Sequence, residues 1–393
     1  MTAREGEQPT RRRLARWPLT VGASVLVVVA VWLAICGFVR RTRLCFEDPI
    51  ADDGIFDSGT VEPDEMSRYR SAADYSAANG GEAVLVLRGQ TTVFEEYQNG
   101  WTAERPHHLY SGTKSFCCAL AAAAMADGKL SLEERAAETL GQWRDDPRKK
   151  RITVQQLLEL SSGLKNDFRG LTLDGLKKPA LQRVHDKYRR AVDQPAVHEP
   201  GDRFAYGSVH LSAFGEIMKR KLGEDPLRYL ERRVFDPIGF RYAGWNTDPA
   251  GNAQLGYGAW TTARHWARYG VLLRDDGRWR GEEVLPADEL ALCRKSSGTL
   301  PAYGLTLWLN RRIPKELATA GFPLRQPRGA STDRPFDREG SDDLFVAAGA
   351  KDQRLYVIPS ADLVIVRLGN GHGSFSDGEF LGLLLRGRPP SRS

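Results

Sequence analysis

This sequence predicts an α+β fold: an antiparallel sheet flanked by helices, with a helical subdomain inserted between its strands and one transmembrane helix ahead of it. Three observations predict it. Short apolar, strand-like runs lie at both ends of the larger C-terminal part of the chain, and helical patterns fill the stretch between them. Turn and stop signals separate these runs cleanly. Near the N-terminus, Trp17 to Val39 carries no charge and is long enough to cross a bilayer core.

Composition sets the outer bounds. A chain of 393 residues can bury one large core or two modest ones, so a globular enzyme is the default class. The net charge is +6, but much of the excess sits in the N-terminal arginines and the tail after Leu385, so nucleic-acid binding is not indicated. Five cysteines without a C-x-x-C or Cys/His spacing suggest neither a disulfide framework nor a zinc site. Cys117 and Cys118 read as small buried hydrophobes, Cys36 as lipid-facing, and Cys45 and Cys293 as the candidate exposed thiols. His107, His108, His198, His265 and His372 lack a metal spacing and are expected at the surface or at helix caps. No metal or organic cofactor is called for.

The domain order is a basic tail at 1–16, a transmembrane anchor at 17–39, an acidic turn-rich linker at 40–64, the enzyme at 65–386 and a disordered tail at 387–393. Arg11, Arg12, Arg13 and Arg16 precede the apolar run and Arg40, Arg41 and Arg43 follow it; the positive-inside rule favours a cytoplasmic N-terminus. The catalytic domain is then single-pass anchored to the cell membrane on the periplasmic or extracellular side. A cleaved signal peptide is the alternative, but the run exceeds a usual h-region, lacks an A-x-A exit and ends in arginines. Folded export through the twin arginines and lipidation at Cys36 are minor options, the latter disfavoured by the bulky Ile35.

Within the enzyme, Ala83–Leu87 and Thr92–Tyr97 around Gly89-Gln90 read as a hairpin. Ser115–Ala126 reads as an alanine-rich helix stopped by Asp127-Gly128, and Val154–Leu160 as another stopped by Gly163. Helical patterns continue over Val209–Leu222, Pro226–Val234 and Thr262–Asp275. Strands return at Gly304–Leu309, Leu355–Ile358 and Leu363–Arg367, and a last helix spans Asp377–Leu385. Such an arrangement places a cleft between sheet and helices, where small-molecule sites form.

Two Ser-x-x-Lys tetrads occur, at Ser111–Lys114 and Ser162–Lys165. Residues three apart share a helix face, so a serine in the first turn brings its hydroxyl to a lysine amine that can exchange its proton. Ser111 precedes the apolar helix, whose positive end favours negative charge at its oxygen, and apolar surroundings lower the lysine's proton affinity. Ser162 ends a helix, where the dipole has the opposite sign, and reads as a helix stop beside the Gly163 cap.

In order along the chain, Tyr110-Ser111-Gly112-Thr113-Lys114-Ser115-Phe116 is followed by Ile152–Leu158 and Ser161-Ser162-Gly163-Leu164. Glu199-Pro200-Gly201-Asp202-Arg203-Phe204-Ala205-Tyr206, Trp260–Arg264 and Trp266–Gly270 come next. From about Ala83 to Leu368 this resembles the serine β-lactamase-related hydrolases: class C β-lactamases, D,D-peptidases, esterases and 6-aminohexanoate-dimer hydrolases. Two departures stand out. The family's Tyr-x-Asn is here Tyr206-Gly207-Ser208, and its Lys-Thr-Gly is Ala347-Ala348-Gly349. Phe345 to Gln353 is closer to the F-x-x-x-G-x-x-x-Q form of 6-aminohexanoate-dimer hydrolase-like members.

The resemblance implies a β-lactamase/transpeptidase-like fold with Ser111 as nucleophile and Lys114 and Tyr206 as proton carriers, the choice of base between them being left open by the sequence. It further implies an oxyanion site formed by the backbone N–H groups of Ser111 and Ala350. Ser208, Gly349 and Asp167 are the substrate-binding candidates, with Asn166 and Phe168 lining the cleft. Ala347 removes the cation that meets a substrate carboxylate, which argues against strong β-lactamase or D,D-peptidase activity unless Lys351 or Arg354 compensates. The expected substrate is a small amide or ester, with no obligate protein partner. The alternatives are a peptidoglycan D,D-peptidase or β-lactamase, and a binding or sensor module that has kept the fold without turnover.

Overall fold

The computed structural model describes residues 46–391 except 47, 52–53, 167–184 and 315–333. The anchor at 17–39 and the candidates Asp167 and Phe168 lie outside the described residues.

The central sheet has seven strands in the order β1-β3-β2-β12-β11-β10-β9. These are β1 (Asp57–Ser58), β2 (Gly81–Arg88), β3 (Thr91–Tyr97), β9 (Trp308–Leu309), β10 (Phe345–Gly349), β11 (Gln353–Ile358) and β12 (Leu363–Gly369). Five pairings are antiparallel as expected, but β1 runs parallel to β3, so the sheet is mixed. A second, three-stranded sheet, not foreseen from the sequence, joins β4 (His107–His108), β6 (Ala259–Thr261) and β5 (Gly244–Trp245) in that order. A small hairpin, β7 (Arg278–Trp279) and β8 (Glu282–Glu283), stands apart.

The main helices are α1 (Pro63–Ala78), α2 (Phe116–Ala126), α3 (Val154–Leu158), α4 (Val209–Leu222), α5 (Ala263–Arg274) and α6 (Asp377–Arg386). Strands β11 and β12 are buried along their whole length because both faces are covered. Side chains alternate between the faces. On one face Leu355 and Val364 meet α5 so closely that a Cβ at Gly270 would lie 2.5 Å from Val364 Cγ1 and 2.8 Å from Leu355 Cδ1. On the other, Tyr356 stacks on Phe380 of α6, with ring centroids 6.0 Å apart, and Arg367 reaches Ser76 of α1 at 3.1 Å.

Several expectations need correction. The linker at 40–64 is partly built into the domain: Ile50 N–H donates to the Glu104 carbonyl, Gly59 N–H donates to Thr92, and α1 begins at Pro63. Strand β1 thereby covers the outer edge of β3, an edge that would otherwise present unpaired backbone. The tail is held as far as Ser391, whose N–H donates to Glu339 Oε1 at 2.8 Å. Of Gly304–Leu309 only Trp308–Leu309 is strand, because Thr306 takes a left-handed φ of 61° and Tyr303 bridges back to Trp308. Helix α3 stops at Leu158 since Leu160 is itself left-handed, and the helix from Pro226 gives way to a π-turn over Glu231–Phe235. Cys293 is buried, as are His107, His108 and His265. Cys117 and Cys118 are buried as expected.

Candidate active site

Strand β4 carries the chain into a short 3₁₀ turn, Tyr110–Ser115, that leads directly into α2. Tyr110 enters it with φ 47°, a conformation that costs a non-glycine residue on the order of 1–3 kcal/mol and persists only where surroundings impose it. The impositions are visible. Leu109 N–H donates to the Ala259 carbonyl, Ala259 N–H donates to Thr113 Oγ1 at 3.1 Å, and Tyr269 hydroxyl donates to Ser115 O at 2.6 Å. Gly112 is obligatory because a Cβ there would lie 2.8 Å from Trp266 Cζ2.

In a 3₁₀ turn residues i and i+3 eclipse, which superposes Ser111 and Lys114. Lys114 Nζ lies 3.0 Å from Ser111 Oγ and donates to the Gly256 carbonyl at 2.8 Å. The lysine is 2% exposed, and burial pulls its pKa down to about 7. Tyr206 is in hydrogen-bonding contact with Ser111, and burial pushes its phenol up to about 12. Its ring lies 4.9 Å from Lys114 Nζ and packs on Trp308 and Phe204, at centroid distances of 5.7 and 6.2 Å.

Strand β10 ends against this turn. A Cβ at Gly349 would sit 2.1 Å from Leu109 O and 3.1 Å from Gly112 N, so only glycine permits the approach that brings Ala350 beside the Tyr110–Ser115 turn. Ala350 is exposed, and Lys351 after it is left-handed at φ 59°, with Nζ 5.7 Å from the Tyr110 ring centroid. Ser208 precedes α4 and lies against Gly256, where a Cβ would meet its Oγ at 2.6 Å; it thus sits beside the residue whose carbonyl binds Lys114. Arg354 cannot stand in for the missing cation: it is buried against Asp377 at 2.6 and 3.2 Å and donates to Gly349 O at 3.0 Å. That pairing holds its charge inside the fold. Lys351 lies beside Tyr110, while the Arg354 charge still bears on Tyr206.

Ser162 pairs with a different partner and is more than a helix stop. Its hydroxyl is fully buried and bonds His210 Nδ1 at 2.8 Å, while His210 Nε2 bonds the Ala205 carbonyl at 2.8 Å. Sequence reasoning missed this pair, the Gly256 carbonyl and Tyr303. A backbone carbonyl has no side-chain signature, and the partners of Ser162 and Tyr206 are far away in sequence. Among the described residues no group of His, Cys, Asp and Glu could hold a metal, and no helix is long and apolar enough to cross a membrane.

A sheet covered by helices on both faces, with a buried lysine set against a serine on the turn into an apolar helix, defines a serine hydrolase of the Ser-x-x-Lys class. The chain belongs to the Beta-lactamase family, whose model matches residues 70–386. It is 25% identical over 307 residues to the 6-aminohexanoate-dimer hydrolase of Paenarthrobacter ureafaciens, covering 73% of this chain and 72% of that one. Among solved structures, one provisionally assigned as a 6-aminohexanoate-dimer hydrolase from Bacillus anthracis superposes with TM-score 0.64 at 20% identity, covering 86% of each chain. The octameric penicillin-binding protein homologue of Pyrococcus abyssi gives 0.60 at 18% identity, covering 82% of this chain and 78% of that one. At these identities the structural likeness establishes the fold.

Proposed function

We propose that this protein hydrolyses small amide or ester substrates through an acyl-enzyme on Ser111. The observation that carries the reading is the 3.0 Å approach of a fully buried Lys114 amine, with its pKa near 7, to Ser111 Oγ. The Gly256 carbonyl can only accept, so it takes an amine N–H and leaves the lone pair of the neutral lysine for the serine proton. Tyr206, protonated throughout the neutral range and in hydrogen-bonding contact with Ser111, can pass a proton on to a leaving group. Lys114 is therefore the base and Tyr206 the relay.

Ser111 Oγ bonds to the substrate carbonyl carbon as its proton passes to Lys114, and the carbonyl π pair moves onto oxygen. The backbone N–H groups of Ser111 and Ala350 hold that oxyanion; removing one such donor typically costs about 3 kcal/mol. Collapse expels the amine or alcohol, which receives the proton from Lys114 through Tyr206. Water then adds to the acyl carbon, giving a proton to Lys114, and Ser111 leaves with that proton as the carboxylic acid is released.

Two features support a small amide or ester over a peptidoglycan stem: Ala347 where a cation would meet a carboxylate, and the engagement of Arg354 by Asp377. The Paenarthrobacter relative's name points the same way, to hydrolysis of a short linear amide. The uncharged run Trp17–Val39 supports an anchored enzyme working on the outer face of the membrane, which resistance of the protein to carbonate extraction would test. For the chemistry, the test is intact mass after fluorophosphonate treatment of wild type, Ser111→Ala and Ser162→Ala. One adduct, lost only in Ser111→Ala, is expected; no adduct on any form would sink the nucleophile.

A further inference from the structure

Two polar atoms beside Tyr206 are buried and make no hydrogen bond among the described residues: Oδ1 of Asn166 and the hydroxyl of Tyr303. The orientation of Asn166 follows from its neighbour. Its amide nitrogen donates to the Tyr206 carbonyl at 2.6 Å, and since that carbonyl can only accept, the oxygen is the end left over. The same amide lies against Gly207, where a Cβ would come within 1.8 Å of Nδ2 and 2.0 Å of Oδ1. Any larger residue at 207 would expel it. Gly207 and Ser208 thus act together: the position two after Tyr206 lacks an amide, and the glycine between admits one from Asn166.

Tyr303 flanks the same tyrosine. Its ring is 0% exposed and stands edge-on to Tyr206, with centroids 6.5 Å apart, and burial pushes its phenol well above the ordinary range, so it stays protonated. Buried polar groups without partners destabilise a fold and are rare. Two of them flank one tyrosine of the proposed reaction centre, where a substrate amide would supply partners to both.

We propose that Asn166 and Tyr303 form an amide-recognition subsite in which Asn166 Oδ1 accepts the N–H of a secondary scissile amide while the Tyr303 hydroxyl bonds the same amide group. This rests on the Ser111 acyl-enzyme reading and narrows it: an ester or an N-methylated amide has no N–H to offer Oδ1. Asn166 has a second role as a positioning residue, through its bond to the Tyr206 backbone. Loss of that bond lowers turnover of every substrate alike, whereas loss of the acceptor lowers only the N–H-bearing one.

The experiment compares kcat/KM for the p-nitroanilide, the N-methyl-p-nitroanilide and the p-nitrophenyl ester of one short acyl group, using the full chain as wild type, Asn166→Ala and Tyr303→Phe. Fluorophosphonate labelling of Ser111 is measured alongside. Wild type should prefer the anilide to its N-methyl form by at least about tenfold, a discrimination within reach of one buried hydrogen bond, and both variants should bring that ratio below about threefold. Tyr303→Phe should leave Tm no lower than wild type, because the hydroxyl it removes has no hydrogen-bond partner among the described residues. Retention of the ratio in either variant overturns the subsite, as does an equal loss on all three substrates. A wild type that labels at Ser111 yet shows no preference defeats the subsite alone; one that does not label defeats the nucleophile.

Discussion

The two Ser-Gly-x-Lys segments of this chain share three residue types and have opposite fates. In Ser111–Lys114 the backbone is a 3₁₀ turn, so serine and lysine eclipse and the amine is trapped at 3.0 Å from the hydroxyl. In Ser162–Lys165 the backbone bends through a left-handed Gly163, Leu164 bridges to Ala196, and Lys165 is exposed while Ser162 turns inward to His210. Even the glycines differ in purpose. Gly112 makes room for the Trp266 ring; Gly163, at φ 77°, has the His198 carbonyl 2.3 Å from where a Cβ would be. Only the first tetrad has a helical backbone that aligns its pair and a burial that strips its lysine of water.

That contrast is broken most sharply at the serines. Ser111→Ala should lower kcat on a p-nitrophenyl ester by about 10⁴–10⁶-fold, the scale seen when a nucleophile is removed from a triad, and Ser162→Ala should stay within about threefold of wild type. Comparable losses in both would mean that burial, not alignment, decides.

Next in size is Lys114. Replacing it with Met should cost about 10²–10⁴-fold in kcat/KM, the usual worth of a positioned base. With a folded pKa of about 7, only the neutral amine serves, so wild-type kcat/KM should climb about tenfold per pH unit below 7 and flatten above it. Stability runs with the same sign. Between about pH 7 and the ordinary lysine value of 10.5 the unfolded chain holds a proton that the folded chain does not, so the native state gains stability as pH rises through that window. Lys114→Met should therefore have the higher Tm at pH 7, by a margin that shrinks towards pH 10. A margin independent of pH would show that Lys114 is charged in the fold.

How much of this was legible depended on how local the cause was. The nucleophile turn, α2 and the hairpin of β2 and β3 are specified by neighbours in sequence, and the structure has them where the pattern places them. Helix α1 was not seen: its buried face is Tyr69, Ala72, Ala73 and Ser76, too small and polar to make an apolar stripe. Arg354 was read as a spare cation because its partner Asp377 is 23 residues away and on another element. Gly256 was invisible because it acts through its carbonyl. Asn166 was placed in the cleft, but its bond to the backbone 40 residues on follows only from the fold.

A smaller effect tests what Ser162 does instead. Ser162→Ala leaves His210 Nδ1 buried without its hydroxyl partner, and an orphaned buried group costs on the order of 1–3 kcal/mol. Urea unfolding should show that loss with an unchanged slope. Burial holds His210 down to about pH 4, so the imidazole is neutral at pH 7 and the serine hydroxyl is the donor. Removing the hydroxyl therefore removes a donor, not a counter-charge, and the loss should be the same in low and high salt.

The least effect is expected at Lys165. Its backbone N–H donates to the Pro195 carbonyl at 2.8 Å, but its side chain is exposed, so Lys165→Ala should change stability by less than about 0.5 kcal/mol and leave fluorophosphonate labelling of Ser111 intact. Labelling is the sharper readout because it reports the nucleophile alone, whatever the substrate. A tenfold slower adduct would mean that the second tetrad lends its charge to the first, and the two segments would have to be treated as one site. An unchanged rate leaves the separation complete: of two identical side-chain pairs, only the one that the backbone eclipses and the core dehydrates does chemistry.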